Sequence, residues 1–286
     1  MPTLREMMNG TEPVCAPLVL NPLMAKMAEK AGFRALYLGG GASGYAKVHL
    51  EANLTVTEMA QTGVEIGTVT SLPLILDAAA GFGDPMHMHR TIPMTEAAGF
   101  AAIEIEDQLL PKRAHHHIGI EHMIPQELMV AKVREAVAAR RNPDFVIVAR
   151  TNGVRVAGMD EAIRRAEAYR EAGADALLLS PRTPEEVRFV GERLGAPLMM
   201  LCRPGGLAKL DMTLADMHGL GYRILADPNT ALFAAYEAMK KVYAELAGGF
   251  RVTSRPADEW EGVQHAIHET IDIDQLIDVE KRTVER

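Results

Sequence analysis

Cysteine is nearly absent from this chain: 286 residues hold two, Cys15 and Cys202, each within an apolar run. That scarcity argues against a disulfide framework and points to a reducing, cytoplasmic setting. Positive charge is also in deficit. Thirty Lys and Arg against 38 Asp and Glu leave a net charge of −8, which disfavours nucleic acid as a partner and suits a soluble enzyme. No apolar run reaches the roughly 18 residues of a membrane-spanning helix. Met1–Glu6 lacks the apolar core of a signal peptide, so no membrane partner is expected. What is present is an ordinary globular composition, 48% hydrophobic and 24% charged, long enough for one large domain or two small ones. The 17 methionines read as soft core packing.

Two apolar runs end in acids. Leu72-Pro73-Leu74-Ile75-Leu76 leads into Asp77, and Ala101-Ala102-Ile103-Glu104-Ile105 leads into Glu106-Asp107. Between them lie the Gly-containing turn Ala78–Gly83 and a helical stretch. The pattern is strand, loop, helix, strand, with carboxylates at the exits of neighbouring strands. In a parallel α/β fold those exits share one face, where ligands bind. Two converging acids can hold a hard cation such as Mg²⁺. The alternative for each is a helix cap or turn residue.

The chain also echoes itself. Glu29–Leu38, Glu96–Ile105, Glu171–Leu179 and, more weakly, Gly219–Ala226 each show a helix end, a Gly and a short apolar run. Glycine after a helix tolerates the left-handed conformation that closes it. Apolar runs of this kind suit strands buried on both faces. Eight candidate strands follow: Val14–Leu20, Ala35–Leu38, Leu72–Asp77, Ala101–Glu106, Phe145–Arg150, Asp175–Ser180, Pro197–Cys202 and Tyr222–Asp227. Glu127–Arg140 and Met159–Ala172 have the clearest helical period between them. The expected fold is a (β/α)₈ barrel over residues 1–247, with an open doubly wound sheet as the alternative. Asn229–Ala247 reads as a long helix broken by Gly248-Gly249. Residues 248–286, with the lone Trp260, form a helical extension that could pack on this barrel or on a neighbouring subunit.

The motifs resemble the isocitrate lyase / phosphoenolpyruvate mutase superfamily, nearest its 2-methylisocitrate lyase branch. The likeness runs from about Pro13 to Tyr243. It is carried by Leu36-Tyr37-Leu38-Gly39-Gly40-Gly41, Leu74-Ile75-Leu76-Asp77, Gly81-Phe82-Gly83, Arg90-Thr91, Ile105-Glu106-Asp107-Gln108, Lys112-Arg113 and Asn142–Thr151. It implies a barrel, Mg²⁺ or Mn²⁺, a small carboxylate substrate of the 2-oxo or 2-hydroxy acid type, and a homotetramer with a C-terminal helix swapped between subunits. It places Asp77 as principal metal ligand and Glu106 as a second acid on the metal. Gly39, Gly40 and Gly41 take the place of the backbone that holds substrate, and Arg150 that of the arginine clamping a substrate carboxylate. Lys112, Arg113 and His116 keep parts of a mobile gating loop.

The departures matter as much. Asp77-Ala78-Ala79-Ala80-Gly81 replaces Asp-x-Asp-x-Gly, so a second acid has become Ala79. A further acid after the second strand corresponds to Asn53. The loop reads Lys112-Arg113-Ala114-His115-His116, without the cysteine with which the lyases move a proton. Arg182 stands where Pro-Glu-Ala is common, and Arg203 near where Asn is common. Turned inward, these arginines would favour a more anionic substrate or a reaction less dependent on metal; turned outward, they would meet Glu185 or solvent.

Three adjacent histidines, His115–His117, cannot all face one ion. His115 or His116 is better read as a loop acid or base replacing the cysteine. Cys202 has no evident partner histidine and reads as a buried free thiol. The expected activity is metal-assisted carbon–carbon cleavage of a small 2-oxo or 2-hydroxy dicarboxylate through an enolate, with decarboxylation of an oxaloacetate-like acid favoured by the missing cysteine. The catalytic candidates are His116, Lys112 and Arg150, with Arg182 joining Gly39–Gly41 in substrate binding. The alternatives are a hydrolase or phosphonate-processing relative and a binding paralogue without turnover.

Overall fold

The computed structural model describes residues 1–285. Eight parallel strands follow the expected order: β1 (Val14–Pro17), β2 (Leu36–Leu38), β3 (Leu74–Asp77), β4 (Ala102–Glu106), β5 (Val146–Arg150), β6 (Ala176–Leu178), β7 (Leu198–Leu201) and β8 (Tyr222–Asp227). Each pairs with its neighbour in the order β1-β8-β7-β6-β5-β4-β3-β2. A parallel bridge from Leu18 to Tyr37 brings β1 to β2, with Val19 N–H donating to Tyr37 O at 2.9 Å. The sheet thus closes as a (β/α)₈ barrel, and the doubly wound alternative falls away.

Alternate strand residues build two cores. Leu36, Leu38, Leu74, Leu76, Ile103, Ile105 and Ile147 face the surrounding helices. Tyr37, Ile75, Ala102, Val146, Val148, Leu178 and Met199 fill the interior. The short helix Leu4–Met8 plugs the bottom, its Leu4, Met7 and Met8 packing into the interior core. Polar chemistry inside the barrel is thereby confined to its other end.

The helix Thr230–Ala247 follows β8 but covers nothing: it has no buried residue, and Phe233, Tyr236, Met239 and Tyr243 stand exposed. Over β1 and β8, an apolar groove lined by Cys15, Leu18, Phe33, Leu207, Leu214 and Leu225 is left open. Two further helices, Glu259–Thr270 and Ile273–Thr283, form the extension. The first packs against the helix Pro22–Lys30 of the same chain. Among the described residues no helix is long and apolar enough to cross a membrane.

Candidate active site

Interior positions turn from apolar to charged toward the C-terminal mouth of the barrel. Ile75 is succeeded by Asp77, Ala102 by Glu104 and Glu106, and Val148 by Arg150. Strand register aligns Asp77 with Glu104 and Glu106 with Arg150, and all four side chains are buried. Arg150 Nη1 donates to Glu104 Oε1 at 2.7 Å, and its Nε lies 3.3 Å from Glu106 Oε2. The Tyr37 hydroxyl donates to Glu104 Oε2 at 2.9 Å. Burial, aided by the Asp77 charge, pushes the Glu104 carboxyl up to about 8 against the pull of Arg150. Burial would raise Glu106 too, but Arg150, Lys112 and the amide of Asn152, 2.9 Å from Oε2, hold it well below the usual carboxylate range. In the sequence Glu104 lies unmarked inside the run Ala101–Ile105. The neighbouring Asp107 is structural, accepting from Thr151, Asn152 and Tyr169 and pairing with Arg165.

Asp77 is positioned by backbone. Its Oδ2 accepts from Gly40 N–H at 3.0 Å and its Oδ1 from Ala79 N–H at 2.9 Å. Ala79 adopts a left-handed φ of 47°, a conformation that costs a residue with a Cβ about 1–2 kcal/mol. The Gly40 amide, expected to face substrate, therefore serves the carboxylate. Gly39 caps the helix Gly40–Ala46.

One expected loss is corrected. Asn53 is exposed, and the acid that enters the site from this segment is Glu51, buried in the short turn Glu51–Asn53. Gly44 permits this placement: a Cβ there would come within 2.6 Å of the Glu51 amide nitrogen. Gly39-x-Gly41-x-x-Gly44 after β2 has dinucleotide-fingerprint spacing, yet here it brings carboxylates, not phosphate, to the glycines. The positions of Ala79 and Arg182 remain without an acid.

The loop after β4 reaches over this cluster. Its base is joined by an antiparallel bridge between Gln108 and Met123. Lys112 is buried, ion-paired to Glu51 and, at 2.5 Å, to Glu106. Burial lowers its ammonium, but Glu106 and Glu51 outweigh that and raise it well above the lysine range. His116 Nδ1 lies 2.7 Å from Glu121 Oε2 and 2.7 Å from Gln108 Nε2, while its Nε2 points toward Glu51 Oε1 at 3.6 Å. Arg155 pairs with the other Glu121 oxygen at 3.0 Å. His117 turns away to Tyr45 and His115 to His122, so the triple histidine is not a metal cage. Gln108 closes the motif Ile105-Glu106-Asp107-Gln108, whereas Glu121 and Arg155 lie in no motif that would single them out.

Across the mouth, one cavity is lined by His116, Arg150, Arg155, Arg182, Arg203 and Lys209, together with Cys202. Both departures, Arg182 and Arg203, thus border the same space as Arg150. Burial pushes the Cys202 thiol up to about 12, which leaves it a protonated, inert neighbour.

The acid side fits a divalent cation. Among the described residues no three His, Cys, Asp or Glu side chains are placed to cage an ion unaided. Mg²⁺ needs no such cage, since it keeps waters and takes one or two carboxylates plus substrate oxygens. Asp77 Oδ2 and Glu51 Oε2 each lie 3.3 Å from the point a Gly40 Cβ would occupy. The two carboxylate oxygens therefore face one small space that glycine keeps open.

Comparison with known proteins places this mouth in context. The family model described as phosphoenolpyruvate phosphomutase matches residues 4–247. A 2,3-dimethylmalate lyase of Eubacterium barkeri is 36% identical over 248 residues, 85% of this chain and 84% of that protein. A 2-methylisocitrate lyase of Aeropyrum pernix is 39% identical over 245 residues, 85% of this chain and 78% of its own. A crystal structure of phosphonopyruvate hydrolase in complex with oxalate and Mg²⁺ superposes with a TM-score of 0.83 at 32% identity, covering 98% of each chain. The chain therefore belongs to the phosphoenolpyruvate phosphomutase family and, with these lyases among its relatives, is an enzyme of the lyase class.

Proposed function

We propose that this enzyme breaks a carbon–carbon bond in a small 2-oxo or 2-hydroxy dicarboxylate and stabilises the resulting enolate at the barrel mouth. The observation that carries the reading is the convergence of Asp77 and Glu51 on Gly40, with the Arg150 guanidinium in the same mouth. Asp77 and Glu51 would hold Mg²⁺ or Mn²⁺, with Glu106 as the outer acid. The bound cation supplies Lewis-acid stabilisation of negative charge on the enolate oxygen. Arg150, oriented by Glu104 and Glu106, offers a planar fork to a substrate carboxylate. Lys112 offsets the charge of Glu51 and Glu106 and anchors the loop over the site.

Ala114 has nothing to donate or accept, so the loop has no titratable side chain where the lyases carry cysteine. Beside Lys112, which is locked between Glu51 and Glu106, His116 is the loop imidazole in reach of the acid cluster, oriented by Glu121 and Gln108. Decarboxylation of an oxaloacetate-like acid suits this arrangement, because CO₂ leaves without needing a proton and the enolate takes one from His116 or water. The exposed apolar helix Thr230–Ala247 and the open groove over β1 and β8 support an assembly in which that helix is exchanged between copies; that the assembly is a homotetramer rests on the family resemblance.

Release of pyruvate from oxaloacetate, and of the 2-oxo acid fragment (pyruvate or glyoxylate) from a panel of 2-hydroxy diacids, with Mg²⁺ or Mn²⁺ and corrected for spontaneous decay, tests the reading. Asp77→Ala should lower turnover at least about 100-fold, given several kcal/mol of metal-derived stabilisation, with thermal melting little changed. A parent inert on the whole panel, or an equally active Asp77→Ala, overturns it. His116→Gln decides the proton route. A fall in rate with a flattened pH profile assigns the proton to His116, and an unaltered profile assigns it to water.

A further inference from the structure

We propose that Asn152 is the positioning residue of the Arg150 clamp, its amide standing between Glu106 and the guanidinium so that Arg150 keeps N–H groups for a substrate carboxylate. The inference rests on the reading of Arg150 as that clamp and adds the side chain that holds the clamp open.

A buried network mounts this side chain. Arg150 ends β5, and Asn152 heads the short helix Gly153–Val156 that follows. The Asn152 backbone N–H donates to Asp107 Oδ1 at 3.0 Å, and the Thr151 hydroxyl donates to Asp107 Oδ2 at 2.7 Å. Asp107 is fixed in turn by the Tyr169 hydroxyl at 2.8 Å and by Arg165. Asn152 and Asp107 are both 0% exposed. A buried polar network whose members are satisfied is rigid, so the amide is held in one place.

From this mount the amide meets both partners. Its Nδ2 donates to Glu106 Oε2 at 2.9 Å, and its Oδ1 accepts from Arg150 Nη2 at 3.3 Å. Arg150 Nε lies 3.3 Å from the same Glu106 oxygen, yet among the described residues it makes no hydrogen bond. Asn152 has taken the oxygen that Nε would otherwise engage, and Lys112 holds the other Glu106 oxygen at 2.5 Å. A guanidinium carries one N–H on Nε and a pair on each terminal nitrogen. Nη1 gives one to Glu104 and Nη2 gives one to Asn152. Among the described residues no acceptor meets the second N–H of either nitrogen. Such a pair suits a carboxylate binding side by side, and Arg150 borders the open cavity. Without the amide, Glu106 could close on the guanidinium as a two-pronged ion pair, and the fork would be satisfied inside the protein. Only a neutral amide serves both neighbours. Aspartate keeps the acceptor, loses the donor and sets another carboxylate against Glu106. Leucine fills the space and makes neither bond.

Crystal structures of ligand-free Asn152→Leu and Asn152→Asp, with oxalate calorimetry in the presence of Mg²⁺, test the proposal. In Asn152→Leu, Arg150 Nε should close on Glu106 from 3.3 Å to a charge-assisted distance of about 2.8 Å. In Asn152→Asp, the guanidinium should pair with the introduced carboxylate. Oxalate should bind both variants at least about tenfold more weakly, the effect of one lost charge-assisted contact. In an Arg150→Lys background either substitution should cost less than about threefold, because the fork it serves is already gone. A loss of equal size in both backgrounds marks a merely structural side chain and overturns the proposal. So does an Arg150–Glu106 geometry unchanged in the variants, or an undiminished oxalate affinity. Asn152→Asp keeps the native side-chain shape and carries the test if Asn152→Leu does not fold. A parent that ignores oxalate defeats the clamp reading, whereas the variant structures still decide whether Asn152 holds Arg150 and Glu106 apart.

Discussion

Arg150 shows how one side chain can be both a structural tie and a candidate ligand clamp. It is buried, bonded to Glu104 and close to Glu106, and it still borders the cavity. Lysine would keep the charge and lose the fork. Arg150→Lys should weaken oxalate binding by about 1.5–3 kcal/mol, or roughly 10- to 150-fold, and should also lower the denaturation midpoint, because Glu104 loses a buried charge-assisted partner. Titration calorimetry and urea unfolding read the two effects separately, and an unchanged oxalate affinity would remove Arg150 from the ligand. At this scale the sequence was uneven. Asp77 and Glu106 were legible because each closes an apolar run. Glu104 was passed over, although Ile103-Glu104-Ile105-Glu106 carries the period-two alternation that sends both acids inward. Glu51 was missed in favour of Asn53. Its direction depends on Gly44 letting the Leu50–Glu51 backbone come close, a packing fact with no local pattern.

Among the elements, the helix Gln126–Ala139 matches the expected Glu127–Arg140 closely, but not all its charge faces water. Lys132 shares the buried face with Met129, Val133 and Ala136, and its Nζ donates to Ala80 O at 2.8 Å. It thereby ties this helix to the loop leaving β3, which carries Asp77. Burial lowers its ammonium to about 8. Because the folded-state value lies below the unfolded one, the unfolded chain binds more protons between about pH 8 and 10.5, and stability from this group rises across that window. It is lost as pH falls through 8. The stability of the parent minus that of Lys132→Met should therefore climb by roughly 2 kcal/mol between about pH 7.5 and 9.5. Urea unfolding across that range measures it, and a flat difference would show an ammonium that ionises as freely folded as unfolded.

For the molecule as a whole, the barrel leaves its last helix unspent. Phe233, Tyr236, Met239 and Tyr243 expose apolar surface along Thr230–Ala247, while the groove over β1 and β8 lacks a cover. Exposed apolar patches of this kind mark interaction surfaces. If copies exchange this helix, Tyr236→Glu should shift the mass measured by light scattering from tetramer toward smaller species and lower the melting temperature by several degrees. A parent that is monomeric at micromolar concentration, or a variant of unchanged mass, would refute the exchange.

The sequence alone determined the strand count, the barrel and the side of the barrel on which the acids lie. Those features are repeated or local: Gly-terminated helices, apolar runs and alternation recur along the chain and need no partner to be read. It also marked Arg182 and Arg203 as departures without deciding which way they turn. Only the tertiary structure decided that they border the Arg150 cavity, that Glu51 completes the acid cluster, that Lys112 is locked between two carboxylates, and that Gly40 serves Asp77. Each of these is a meeting of segments far apart in the chain, set by strand register, by close backbone approach at a glycine and by charge balance in a buried space. None of those quantities is a property of any single stretch of sequence.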